Sequence, residues 1–184
     1  HALRVHARIE AHQHFRQAFD ADRDGPMDTG RADLLFNLAV TGEDVAVGVV
    51  GDETDHLLDA SFEYFVSAGE IERAAEVASY QLDAIPGTGT RQVHRLETVL
   101  PLVPEGSREA ATAWARLGQV RQEVNGDYEG ARAAHAIAIK TAGDLGDRDL
   151  EFLAMAQAAE SDAENLNWAD AAEMAAAALA RSGS

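Results

Sequence analysis

The chain has 184 residues, 46% of them apolar and only 6% aromatic, with 32 Asp and Glu against 15 Lys and Arg for a formal charge of −17. That length fits one domain or one compact repeat array, and the charge repels phosphate backbones, so direct nucleic-acid binding is not expected. The absence of cysteine excludes disulfide staples and thiolate metal sites and fits a reducing, cytoplasmic compartment. No apolar run approaches the roughly 18 residues of a membrane span, and there is no signal-peptide pattern.

From the N-terminus, residues 2–19 read as a helix with Val5, Ile9, His12, Phe15 and Phe19 along one stripe. The run Asp20 to Gly25 breaks it. Pro26 follows, and Asp28 is placed to cap a second helix carrying Leu34, Leu35, Leu38 and Val40. The Gly-, Asp- and Val-rich stretch from Thr41 to Thr54 reads as a loop with a short helical turn. A third helix from near Thr54 to Ala68 turns Leu57, Leu58, Phe62 and Phe65 inward, and Gly69 makes the corner. The next helix, lined by Ile71, Ala74, Ala78, Leu82 and Ile85, is expected to run to Pro86-Gly87, so that residues 56–86 form a helical hairpin. Residues 90–100 make a shorter helix with Val93, Leu96 and Leu100 inward. Pro101 and Pro104 close it, and Ser107 caps the helix that follows.

The best-defined hairpin lies between Ala110 and Ala142. Trp114, Leu117, Gly118 and Val124 share one helical face, and Gly126 turns the chain. Tyr128, Ala131, His135, Ala138 and Ala142 then step by 3, 4, 3 and 4, which is the inner stripe of a second helix. A helix near 148–164 and another starting at Leu166-Asn167-Trp168, lined by Ala171, Ala175 and Ala178, repeat the pattern. Trp168 stands where Tyr128 and Ile71 stand earlier, at intervals of 40 and 57 residues, so the repeats are degenerate. Alanine dominates the stripes, which predicts closely approached helices rather than one bulky core.

The Trp114-x-x-Leu117-Gly118 and Ala131 spacing resembles the tetratricopeptide repeat, whose helices approach through small residues. The expected fold is therefore all-α, with antiparallel helical hairpins stacked in a right-handed superhelix of about eight or nine helices. Residues 1–184 are expected to be a single helical-repeat domain. The start at His1 and the lack of a polar capping helix are expected of a piece of a longer chain.

The sharpest chemical signal is Asp20-x-Asp22-x-Asp24-Gly25, which matches the first half of an EF-hand calcium loop. The bidentate acid that completes such a loop falls at Arg31, a cation, and Pro26 occupies position seven, so an acidic loop between helices is the simpler reading. His6, His12 and His14 have poor spacing for one metal ion on a helix, and His135 reads as a packed histidine. There is no G-x-S-x-G elbow, and Lys140-Thr141 lacks the glycines of a P-loop. Asp127, Glu129, Asp147 and Asp149 sit at helix starts, where the macrodipole favours acids. No catalytic, cofactor-binding or metal residue is assigned.

The segment Ala11 to Ala18, the run Gly25-Pro26-Met27-Asp28 with Ala32 to Phe36, Leu102 to Ser107, and Gly126 to Ala131 are similar to the helical-repeat region of bacterial LuxR-type regulators with an ATPase module, the MalT-like signal-transduction ATPases. The resemblance implies a non-catalytic scaffold for protein interaction or effector sensing within a transcriptional regulator. Its partner would be a protein segment, another domain of the parent chain or a small effector. Arg116, Arg121 and Glu123 lie on the helix that such a groove would use. A calcium-responsive module built on Asp20, Asp22 and Asp24 is the alternative.

Overall fold

The computed structural model describes residues 2–42, 51–81 and 89–182. Among them are nine α-helices and no strand: α1 (Ala2–Ala21), α2 (Thr29–Gly42), α3 (Gly51–Ala68), α4 (Ile71–Ser79), α5 (Gly89–Val99), α6 (Arg108–Asn125), α7 (Tyr128–Leu145), α8 (Arg148–Glu164) and α9 (Trp168–Ser182). Every helix packs on its chain neighbours, while α3 also touches α5, α4 touches α6, and α6 touches α8. Contacts between neighbours and next-neighbours are the signature of a helical-repeat array, and short connections make the neighbours antiparallel. No helix among the described residues is long and apolar enough to cross a membrane.

One corner recurs four times. Gly69, Gly126, Gly146 and Leu166 all have left-handed backbones, with φ of 74°, 59°, 69° and 64°. The amide after each donates back across the helix end, from Glu70 to the Phe65 carbonyl, Asp127 to Arg121, Asp147 to Ala142, and Asn167 to Asp162, at 2.9 to 3.2 Å. The bonds from Glu70, Asp147 and Asn167 span five residues, as in a Schellman closure, and the one from Asp127 spans six; all satisfy carbonyls that a helix end leaves orphaned. The next helix is then capped from the same corner: Asp127 accepts from the Gly130 amide at 3.0 Å and Asp147 from Leu150 at 3.1 Å. The corners at 126, 146 and 166 are evenly spaced, so the 40-residue interval seen in the sequence is two helix-plus-corner units.

Several expected boundaries shift. Helix α1 continues to Ala21, α2 extends to Gly42, and α3 begins at Gly51, so the expected loop from Thr41 to Thr54 is helical at both ends. Helix α4 stops at Ser79, well short of Pro86, because the backbone turns extended at Tyr80 (φ −60°, ψ 130°). There the Tyr80 ring meets Phe36 edge-on at 5.8 Å. The Gln92 amide of α5 donates to the Ala78 and Tyr80 carbonyls at 3.3 and 2.6 Å. A side chain from the next helix thus takes over carbonyls that would otherwise continue the ladder. Residues 43–50 and 82–88, including Leu82, Ile85, Pro86 and Gly87, lie outside the described residues, as do the side chains of Val5 and His6.

The packing changes character along the chain. Between α2 and α6 the core is bulky, with Phe36, Leu58, Phe62, Phe65, Leu96, Val99 and Leu117 in one cluster. That half corrects the expectation of a purely alanine-ribbed array. From α6 onward the expectation holds: Ala111, Ala142 and Leu150 make one small cluster, and Ala115, Ala138 and Ala154 the next. Each cluster takes one position from each of α6, α7 and α8, a rung whose short side chains let three helices close together. Trp114, partly buried, packs against both the large core and the second rung. On α9 the inward stripe is Ala171, Met174 and Ala178; Ala175, expected there, is exposed.

Candidate functional site: the groove between α7 and α9

The next rung departs from alanine. Gly118 of α6 leaves room for a ring, and His135 of α7 fills it, 1% exposed. A Cβ on Gly118 would lie 2.6 to 2.8 Å from three atoms of the imidazole. Both ring nitrogens are buried without a hydrogen-bond partner. Burial lowers the imidazole pKa from 6.5 to about 4, the nearby Asp162 carboxylate only partly offsetting it. At neutral pH the ring is therefore uncharged and offers one donor and one acceptor, neither used.

His135 lines a cavity of about 420 Å³ that opens between α7 and α9 over α8. Arg132, Ala136 and Ile139 share its wall on α7, at the spacing of one helical face. Asp170, Glu173, Met174 and Ala177 make the facing wall, while Ala158, Ser161 and Asp162 form the floor. The groove is amphipathic. Ile139, Met174 and the alanines give it apolar flanks, and Asp162, Asp170 and Glu173 outnumber Arg132. Arg132 is already drawn toward Asp170, with 3.4 Å between them. The buried Asp162 carboxylate accepts from the Tyr128 hydroxyl at 2.7 Å, a bond that raises the phenol's pKa. Tyr128 is thus more than the packing residue its spacing predicts.

A second cleft, about 530 Å³, lies between α3 and α5. Its charges answer one another. Arg95, 1% exposed, donates to Asp55 at 3.0 Å and also to Asp59, and Arg91 reaches Asp59 at 2.7 Å. Burial raises the pKa of Asp55 despite Arg95, whereas at Asp59 burial is outweighed by hydrogen bonds from Arg91 and Arg95 that lower it. The sequence reading missed this network, although its signal was present. Asp55 falls on the stripe of Leu58, Phe62 and Phe65, and Arg95 on that of Leu96 and Val99, so opposite charges interrupt two apolar faces. Among the described residues, the Arg95 Nε and, nearby on α3, the Ser61 hydroxyl are buried without a partner.

The other sequence candidates lie elsewhere. Asp20 lies in the last turn of α1 and pairs with Arg23 at 3.3 Å. Arg31 donates to the Asp22 carbonyl, to the Arg23 carbonyl at 2.7 Å, and lies 3.4 Å from the Asp22 carboxylate, with its guanidinium over the Phe19 ring. The residue at the twelfth loop position is therefore a cation laid across the turn. Among the described residues, no group of three His, Asp or Glu side chains is placed to hold a metal ion. His12 meets the Thr41 hydroxyl at 3.3 Å, and His14 is exposed. Arg116 is buried and bonded to Gln119, Arg121 pairs with Glu97 on α5 at 2.7 Å, and Glu123 accepts from Gln119. None of these three lines the α7–α9 groove. Glu129 and Asp149 lie in the first turns of α7 and α8, and Lys140 pairs with Asp144 at 2.6 Å.

These features define an all-α helical-repeat protein with an acidic groove between two of its ribs. No protein-family model matches the chain, and no curated protein matches it.

Proposed function

We propose that this chain is a non-catalytic scaffold that senses an effector or docks a partner in the groove between α7 and α9. The observation that supports the reading most directly is the buried, unpartnered His135 facing a cavity whose acids exceed its cations. Stacked hairpins hold such a groove rigidly, which lowers the ordering cost of binding. The net charge of −17 favours a basic partner, which would be drawn in at low ionic strength. The similarity of segments such as Ala11 to Ala18 and Gly126 to Ala131 to LuxR-type, MalT-like regulators favours a place within a cytoplasmic transcriptional regulator, the partner then being a segment of a protein or of the parent chain.

The test is fluorescence anisotropy with a labelled Lys- and Leu-containing amphipathic peptide, its Glu counterpart, and a short DNA duplex. The reading expects saturable binding of the basic peptide that weakens with added salt, with no binding of the acidic peptide or the duplex. Equal affinity for both peptides, or binding of neither peptide and of no small cation, overturns it.

A further inference from the structure

We propose that the α7–α9 groove takes an organic ammonium: a cationic N–H head set among Asp162, Glu173 and His135, with an apolar body along Ile139 and Met174. This rests on reading the array as a binding scaffold and adds the chemistry of what is bound.

Three observations converge on that head group. The first is the orphaned imidazole. A buried polar ring without partners costs free energy that a hydrogen-bonding guest would recover. Here the ring is packed on Gly118 from one side and lines the cavity on another, its nitrogens buried at the cavity wall. A neutral imidazole supplies an acceptor nitrogen for a protonated amine and an N–H for an anion, so the ring marks a polar head and the surrounding acids set its sign.

The second is charge. Asp162, Asp170 and Glu173 line the groove against Arg132 alone. Asp162 spends one oxygen on Tyr128, through Oδ1, which leaves Oδ2 for a second donor. An anion entering here would face the acids with its only counterpart, Arg132, already beside Asp170. A cation meets the opposite balance, and partial exclusion of water strengthens the attraction.

The third is shape. A volume near 420 Å³ is at the lower end for small-molecule sites, about 300–1,000 Å³, and suits a compact guest rather than a bare ion. The Ile139, Met174 and Ala177 flank gives an alkyl or aryl body its contact, with the thioether adapting to the guest. The α3–α5 cleft offers no such balance, because its arginines and aspartates already neutralise one another.

A free amine and a lysine side chain of a protein segment share this chemistry. Calorimetric titration of the whole chain with phenethylamine, 2-phenylethanol and phenylacetate tests the head group, and an alanine-based peptide with a single lysine tests the source. The amine should bind, the alcohol at least tenfold more weakly, and phenylacetate not at all. The His135 Cε1–H resonance should move with the amine. Asp162→Asn and Glu173→Gln should each weaken the amine at least fivefold. Glu173 is exposed on the groove wall, so its variant is informative even where Asp162→Asn disturbs the fold. Tighter binding of the lysine peptide assigns the head to a protein segment, and tighter binding of the amine assigns it to an effector. Equal binding of amine and alcohol, indifference to both variants, or a still His135 resonance overturns the inference. If the amine fails while a basic peptide binds the wild type and both variants alike, this groove is wrong and only the reading of the chain as a binding scaffold stands. If neither binds, both fall.

Discussion

His135 rests its imidazole on Gly118, close enough that one added methyl would come within 2.6 Å of the ring. Each residue is the reason for the other: the missing side chain makes the space, and the ring fills it.

Gly118→Ala should therefore behave differently in two backgrounds. In the wild type it overpacks the rung and should cost about 1–3 kcal/mol. With His135→Ala the clash is gone, and the same substitution should stabilise, by roughly 0.5–1 kcal/mol, because alanine suits a helix interior better than glycine. Urea denaturation of the four proteins completes the cycle. The same sign in both backgrounds would mean that the contact does not govern the site.

Acid should weaken the fold through the same ring. The imidazole titrates near 6.5 when exposed but is held to about 4 in the folded chain. Above 6.5 it is neutral in both states and contributes no pH dependence. Between 6.5 and 4 the unfolded chain binds a proton that the folded chain refuses, so stability falls as the pH falls. The contribution should reach about 2 kcal/mol between about pH 7 and pH 5. The groups around the ring are Asp162, Arg132, Asp170 and Glu173, with Tyr128 bonded to Asp162. Denaturation at both pH values, for the wild type and His135→Met, isolates the share due to the imidazole. A variant with the same acid slope as the wild type would refute the assignment.

Arg95 should matter more to stability than any surface arginine. Its loss strands Asp55, 2% exposed, among apolar neighbours. Removing one partner of a buried ion pair costs about 3–5 kcal/mol, whereas an exposed pair is worth about 0–1 kcal/mol. Arg95→Met should thus lower the melting temperature sharply, and adding Asp55→Leu should recover part of the loss. Arg23, an exposed cation paired with Asp20, is the contrast: Arg23→Met should have little effect.

At Leu166 the fourth corner carries a side chain where the other three carry glycine. The left-handed region costs a non-glycine residue roughly 1–2 kcal/mol, and Leu166 is 71% exposed, so little packing offsets that cost. Leu166→Gly should raise stability by up to about 1 kcal/mol once the greater chain entropy of glycine is counted. A drop in the melting temperature would point to an unrecognised contact for the leucine.

Calcium should leave the protein unmoved. A ligand that binds only the folded form raises its melting temperature with concentration. With Arg31 across the Asp22 turn, millimolar calcium and millimolar magnesium should give the same melting curve. A calcium-specific rise would revive the reading built on Asp20, Asp22 and Asp24.

How much of this was legible beforehand depends on the range of each interaction. The α6–α7 hairpin was readable because its determinants are local: Ser107 caps α6, accepting from Ala110 at 3.1 Å, Gly126 turns left-handed, and Asp127 caps α7. The 3.6-residue period placed Ala131, His135, Ala138 and Ala142 on one buried face, and all are buried. Helix α4 was overextended because what ends it, Gln92 on Tyr80, comes from another helix.

The candidate groove was only half visible. Sequence alone fixed His135 on an inner stripe. That the ring would line a cavity with its nitrogens unpartnered was decided by the tertiary structure, because the answer rests on Asp162, Glu173 and Met174 arriving from two other helices. The buried pair of Asp55 and Arg95 tells the same story at a separation of 40 residues. Periodicity and capping act within a turn or two and can be read along the chain. The pairing of charges, and the spaces left between ribs, depend on which faces meet when the helices stack.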